Sequence, residues 1–100
     1  MKRDEKEFQD NLIKEIQSRF DGSIVFKNDP EYIQGIPDLL VVYKDRWAAL
    51  ECKKNAAASH RPNQDYYVNK MDGMSFASFI YPENKEEVLH EMERSFGIRG

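Results

Sequence analysis

Three residues near the middle of the chain have types that can do chemistry together: Asp38, Glu51 and Lys53. Asp38 opens the apolar run Leu39-Leu40-Val41-Val42-Tyr43, and Glu51 and Lys53 end a second run that begins at Trp47. Only Lys44-Asp45-Arg46 separates the runs, so as strands they must pair antiparallel. That brings Asp38 and Glu51 to the same end of the pair. Alternation puts Glu51 and Lys53 on one face with Trp47 and Ala49, and Ala48, Leu50 and Cys52 on the other. The small alanines leave room near Glu51. Two carboxylates so placed can hold a hard cation such as magnesium, which takes oxygen ligands and keeps several waters. The backbone carbonyl of Cys52 is a third oxygen. Lys53 can hold or deprotonate an attacking water, or stabilise negative charge developing on phosphate. The same residues have a plain structural reading. They are then solvated charges at strand ends, with Glu51–Lys53 a surface pair worth about 0–1 kcal/mol.

The elements that must position these groups follow from periodicity. Asp4 to Phe20 reads as a helix, with Asp4 as N-cap and Glu7 completing a capping box. Phe8, Leu12, Ile16 and Phe20, with Ile13, make its apolar face. At roughly 100° per residue, Glu5 and Gln9 fall inside that arc and Glu7 outside it, so Glu5 or Gln9 could complete the carboxylate site. Ser23 to Lys27 is a short strand. Glu31 to Pro37 is a loop whose proline holds the chain extended and delivers Asp38 to the next strand. That strand, Asp38 to Tyr43, is apolar on both faces and is expected to be covered on both sides. The second runs from Trp47 to Lys53. A loop from Lys54 leads to a helix capped near Ser59 and running to about Met71, with Tyr66, Met71 and Val68 facing inward. Of the adjoining Tyr66 and Tyr67, one is expected in the core; the other could face DNA or a partner. Phe76 to Tyr81 is a strand, and Asn84 caps a last helix, Lys85 to Phe96. The expected fold is α/β, in the order α-β-β-β-α-β-α, around a small mixed sheet of about four strands, in one domain covering residues 1–100.

Composition bounds the alternatives. Of 100 residues, 40% are hydrophobic and 33% charged, ordinary values for a globular chain. The single cysteine excludes an internal disulfide and fits a reducing, cytoplasmic setting. No apolar run is long enough to span a bilayer, and the first residues carry no apolar signal region. Two histidines and one cysteine do not make a structural zinc site by spacing. The net charge of -3 argues weakly against a nucleic-acid binder, but between Lys44 and Lys70 the balance turns basic. Lys44, Arg46, Lys54, Arg61 and Lys70 are the candidates for phosphate contact.

Gly35-Ile36-Pro37-Asp38, a strand, then Glu51-Cys52-Lys53 resembles the Pro-Asp…(Asp/Glu)-x-Lys pattern of the PD-(D/E)xK nuclease superfamily, whose core is restriction-endonuclease-like. Within it, the chain is similar to compact phage and archaeal Holliday-junction resolvases and to stand-alone VRR-NUC domains. Those carry a Glu near the start of the first helix, matched by Glu5 with Glu7 as a close competitor, and a Gln in the helix after the Lys, matched by Gln64. The resemblance implies an endonuclease that hydrolyses DNA phosphodiester bonds with magnesium or manganese. The ligands would be Asp38, Glu51, the Cys52 carbonyl and Glu5, with Lys53 and Gln64 completing the catalytic set. It further implies branched DNA as substrate and a homodimer, without a small-molecule cofactor. Two other readings stand beside it: a general or nicking nuclease of phage genome processing, and an inert α/β module that binds DNA or protein.

Overall fold

The first helix, α1 (Arg3–Arg19), forms on its helical stripe: Gln9, Leu12 and Ile16 are buried, and Phe20 joins them just past its end. The computed structural model describes residues 3–98. Because α1 already runs from Arg3, Asp4 lies inside its first turn instead of at the N-cap. Asp4 and Glu5 there meet the positive end of the helix dipole.

Strands β1 (Ile24–Lys27), β2 (Leu39–Tyr43), β3 (Arg46–Cys52) and β4 (Phe76–Ile80) form one sheet in the order β1-β2-β3-β4. The first three pair antiparallel. β4 runs parallel to β3 and is reached through helix α2 (Pro62–Asp72); α3 (Lys85–Ser95) follows. The expected element order and mixed sheet are therefore present. The hairpin turn is tighter than expected: Tyr43 pairs with Arg46, so only Lys44 and Asp45 turn the chain.

Two layers of helices flank the sheet. α1 and α3 cover one face, where Leu12, Ile16, Leu39, Val41, Leu50 and Met92 belong to the main core. Arg19 bonds to Glu86 and Glu93, and Lys85 to Glu15, fixing α1 against α3. α2 lies on the other face over β3 and β4, with Val68 packed against Ala49 and Ala77. A parallel crossover sets its helix over the strands it joins, so β2 is not covered on both sides as expected. Leu40 and Val42 stay half-buried on the α2 side, and their β1 neighbours Phe26 and Ile24 are exposed.

Helix α2 starts close to the expected place: its N-cap is Arg61, two residues past Ser59, with Pro62 in the first helical position. It departs from expectation at one residue. Tyr66 points outward. The inward stripe is Gln64, Val68 and Met71, and Tyr66 sits two residues, about 200°, from Val68. Tyr67 is half-buried. Asn84 occupies the N-cap of α3, but its side chain turns back to β4, accepting from Tyr81 N–H and donating to the Phe79 carbonyl.

The 28–37 loop delivers Asp38. Its neck is closed by Asn28, whose N–H donates to the Asp38 carbonyl and whose side chain donates to the Pro37 carbonyl, both at 2.8 Å. Gly35 packs it onto α2: φ is +88°, and a Cβ there would stand 2.3 Å from Asn63 Cβ. An L residue at such a φ costs about 1–2 kcal/mol before any clash. Gly35→Ala is therefore expected to lower the melting temperature by about 10 °C or more, at roughly 4–8 °C per kcal/mol. Gly22→Ala, at φ +87° with nothing within 4 Å, should lose clearly less in the same thermal scan.

Candidate active site

Leu39 pairs with Leu50, and one further step of that register sets Asp38 opposite Glu51. Pairs at alternate positions of an antiparallel ladder lack mutual hydrogen bonds and bring side chains closest. The next pair would join Pro37 to Cys52, but proline has no N–H to give. The ladder ends there, and the Cys52 N–H donates instead to Asp38 Oδ2 at 2.9 Å. In an extended strand a residue's N–H and C=O point to the same edge. The Cys52 carbonyl therefore faces the Asp38 side too, where the ladder offers it no donor. Lys53 N–H turns the other way, to the Ile80 carbonyl.

Glu51 and Lys53 are almost fully buried, at 4% and 7% exposure. Lys53 Nζ lies 4.0 Å from Glu51 Oε2 and donates to Gln64 Oε1 at 2.7 Å, while Gln64 Nε2 donates to Glu51 Oε2 at 3.2 Å. Gln64 Oε1 also accepts the Arg61 N–H at 3.1 Å. One side chain thus fastens the first turn of α2 to both Glu51 and Lys53. Its amide leaves the carboxylate and the ammonium correctly oriented but not in tight contact.

Burial, and next the facing charge of Asp38, pushes the Glu51 carboxyl up to about 8. Burial raises Asp38 as well, against the opposing pull of the Cys52 N–H. The two carboxyls are close enough to share a proton. Such a pair, with one lysine for two acids, is short of positive charge. A divalent cation would supply it, and the oxygens present suit magnesium or manganese: two carboxylates and an undonated carbonyl, with room for water. Among the described residues no three His, Cys, Asp or Glu side chains stand close enough to make a cation cage by themselves.

The pair opens into a cleft of about 1000 Å³ whose lining includes Glu5, Lys54, Ser59 and Arg61. Glu5 lies far enough out to act on Glu51 only as a charge, raising it further. Glu7 is exposed and does not line the cleft. Gln9, although buried, sits behind β3 against the Cys52 thiol. A second cleft of about 460 Å³, on the side of the 28–37 loop, shares Asp38, Glu51, Arg61 and Gln64 with the first.

The candidate phosphate contacts divide. Lys54 and Arg61 line the cleft. Lys44 lies in the turn just past β2, six residues from Asp38 and about 20 Å away at the strand rise. Arg46, beside it, donates to the Ser95 carbonyl at 2.6 Å. Lys70 lies on α2 with its ammonium over the Tyr66 ring. Two features escaped the sequence reading. His60 stacks on Phe79 with centroids 3.8 Å apart and bonds to Asp65, anchoring the 54–61 loop. Asn55 Oδ1 accepts the Ala57 N–H, a turn that an Asn before small residues could have signalled. Comparison of the chain with protein-family models, with curated proteins and with solved structures finds no match.

Proposed function

We propose that this chain is a magnesium- or manganese-dependent endodeoxyribonuclease of the PD-(D/E)xK type, with a restriction-endonuclease-like core. One observation carries the reading: the half-buried Asp38 faces the buried Glu51, which lies 4.0 Å from the only buried ammonium among the described residues, and both carboxylates line a cleft of about 1000 Å³. A structural ion pair would gain nothing from two acids to one lysine, nor from opening onto such a cleft. The metal, when bound, supplies charge for a phosphodiester oxygen and lowers the proton affinity of water.

The chain's own groups do the rest. Asp38 and Glu51 would hold the ion, with the Cys52 carbonyl as a further oxygen. The Cys52 N–H fixes the rotamer of Asp38. Lys53, held by Gln64, faces the phosphate and stabilises charge building on its oxygens, or orients the attacking water. Lys54 and Arg61 meet the neighbouring phosphates. Branched DNA and a homodimer remain part of the proposal, since two copies would present two clefts and twice the cations to one DNA.

The test is cleavage with magnesium on four-way junction, flap, single-stranded and linear duplex DNA. Branched substrates should be cut fastest. Cleavage of none would favour a binding module, and equal cleavage of all would remove structure specificity. Glu5 and Glu7 separate in the same assay. Glu5→Gln should slow cleavage about tenfold and weaken magnesium binding, because it removes a negative charge from the cleft lining. Glu7→Gln should leave the rate unchanged.

A further inference from the structure

We infer that the open half of the sheet, over β1 and β2 beside α2, packs face to face against the same surface of a second copy of this chain. The inference deepens the homodimer of the nuclease reading, and rests on that reading only for what the pairing serves. α2 covers β3 and β4, and among the described residues no helix covers β1 and β2 on that face. Burial falls along each cross-strand row. In one row Ala49 is buried, Leu40 half-buried and Phe26 45% exposed; in the next Trp47 and Val42 are half-buried and Ile24 is 64% exposed. Their neighbours along the strands, Val25 and Val41, pack into the main core on the other face, so the pleat itself turns these side chains outward. Leu40, Val42 and Trp47, with Met71 of α2, line a hollow of about 360 Å³. Contiguous apolar surface of this kind marks a contact site.

Shape selects a second copy. A helix packed on the sheet leaves beside it a step about 10 Å deep, and the two bare strands make that step about 10 Å wide. Stacked sheets also pack about 10 Å apart, so a second sheet fills the step at the height of α2. A two-fold contact uses the same patch on both copies. With the axis across the strands, the two α2 helices would fall on one side and collide. With the axis along the strands, each α2 lies beside the other copy's β1, a strand whose outer edge is unpaired. Ile24 and Phe26 of one copy then lie over Val42 and Leu40 of the other, within the usual angle of about 30° between packed sheets. Edge-to-edge pairing of two β1 strands would instead leave Ile24 and Phe26 in water. The charges agree with this axis. The turn at the rim of the hollow carries Lys44, Asp45 and Arg46, and an axis along the strands brings the two turns together. Each Asp45 then meets cations of the other copy, whereas a rim of one sign would repel itself. Both clefts open at the opposite end of the dimer, where one DNA can reach both. A standard interface covers about 800 Å² a side. The half-sheet alone is smaller than that, so the pairing is reversible, in the micromolar range.

The test is sedimentation velocity of the full chain, in EDTA and without DNA, from about 2 to 200 µM, a range that brackets micromolar dissociation constants. Wild type should pass from monomer to dimer across it. Ile24→Glu and Phe26→Glu each bury a charge in the contact and should weaken dimerisation at least about tenfold. Both side chains are exposed in the single chain, so circular dichroism should be unaltered. Asp45→Lys should weaken dimerisation about threefold or more at low salt, and less at high salt. Lys14→Glu, exposed on α1 in the opposite layer, should change nothing. A monomer at every concentration would leave the patch to another protein and overturn the inference. A dimer indifferent to both glutamates would put the contact on another surface, and growth beyond the dimer would mean open-ended association; either overturns it too. The nuclease reading fails on a different result, undiminished cleavage by Glu51→Gln.

Discussion

Glu51→Gln is expected to abolish the proposed metal-dependent cleavage and at the same time to make the metal-free protein more stable at pH 8. Both halves follow from the same carboxyl. On the proposed mechanism, removing one of two acidic ligands would leave Asp38 alone to hold the ion, and the metal's several kcal/mol of charge stabilisation would be lost. The rate should fall by at least about 10²–10³-fold, and Asp38→Asn should do the same. The stability half depends on sign. The folded-state pKa of Glu51 is raised from 4.5 to about 8. The folded chain therefore keeps a proton that the unfolded chain gives up across that range, and stability falls as pH rises from 4.5 towards 8. The total is a few kcal/mol, since each unit is 1.36 kcal/mol and the pair with Asp38 titrates jointly. Glutamine is neutral throughout, so the variant should show a flatter stability curve and a higher melting temperature at pH 8. Magnesium should reverse the order: it stabilises wild type by mass action, most at high pH, and Glu51→Gln little. Thermal scans at pH 5 and pH 8, with and without magnesium, read all four cases. A wild type whose melting temperature is indifferent to pH and magnesium would remove both the carboxyl strain and the metal.

A site that costs stability explains what the sequence could and could not disclose. The strand pair was legible because its signals are local: an apolar run, a short turn, another run, and a proline that ends the ladder just beyond Asp38. Glu5 was legible because the helical period that buries Leu12 and Ile16 also turns Glu5 toward the sheet, and the structure sets it on the cleft lining. Gln9 obeyed the same period but reached Cys52, because the period gives direction and not depth. The face covered by α2 was not legible. Its stripe of Gln64, Val68 and Met71 is weakly apolar, and Tyr66 looks like core by type alone. What decides is the crossover, which seats α2 on β3 and β4 and leaves Leu40 and Val42 half open. The basic residues were grouped by nearness in sequence. Strand geometry separates them: Lys44 and Arg46 belong to the turn at one end of the hairpin, and Lys54 and Arg61 to loops at the other.

Lys53→Ala is the second large effect, and its signature differs from that of the acids. Lys53 is the buried cation facing Glu51 and, beyond it, Asp38. Truncation leaves the buried Glu51 and the facing Asp38 with hydrogen bonds but no counter-charge, and breaking a buried pair in this way costs about 3–5 kcal/mol. The loss should be greatest at pH 8, where the carboxyls must ionise, and smallest at pH 5, where Glu51 can keep its proton. Magnesium should recover much of it, because both acidic ligands survive. Catalysis should not recover. On the proposed mechanism the ammonium would stabilise charge on the phosphate, so at saturating magnesium kcat should remain about 10²–10³-fold down, with DNA affinity within about threefold of wild type. Lys53→Arg should not restore the rate, since a planar guanidinium cannot take the place of a compact ammonium bonded to Gln64 Oε1. Gln64→Ala should fall between the two. It unfastens the lysine without removing it, and a loss of about tenfold, partly restored by Gln64→Glu, would mark a positioning role. If Lys53→Ala instead weakens DNA binding as much as it slows cleavage, the lysine is a phosphate anchor and the water must be oriented from elsewhere in the cleft.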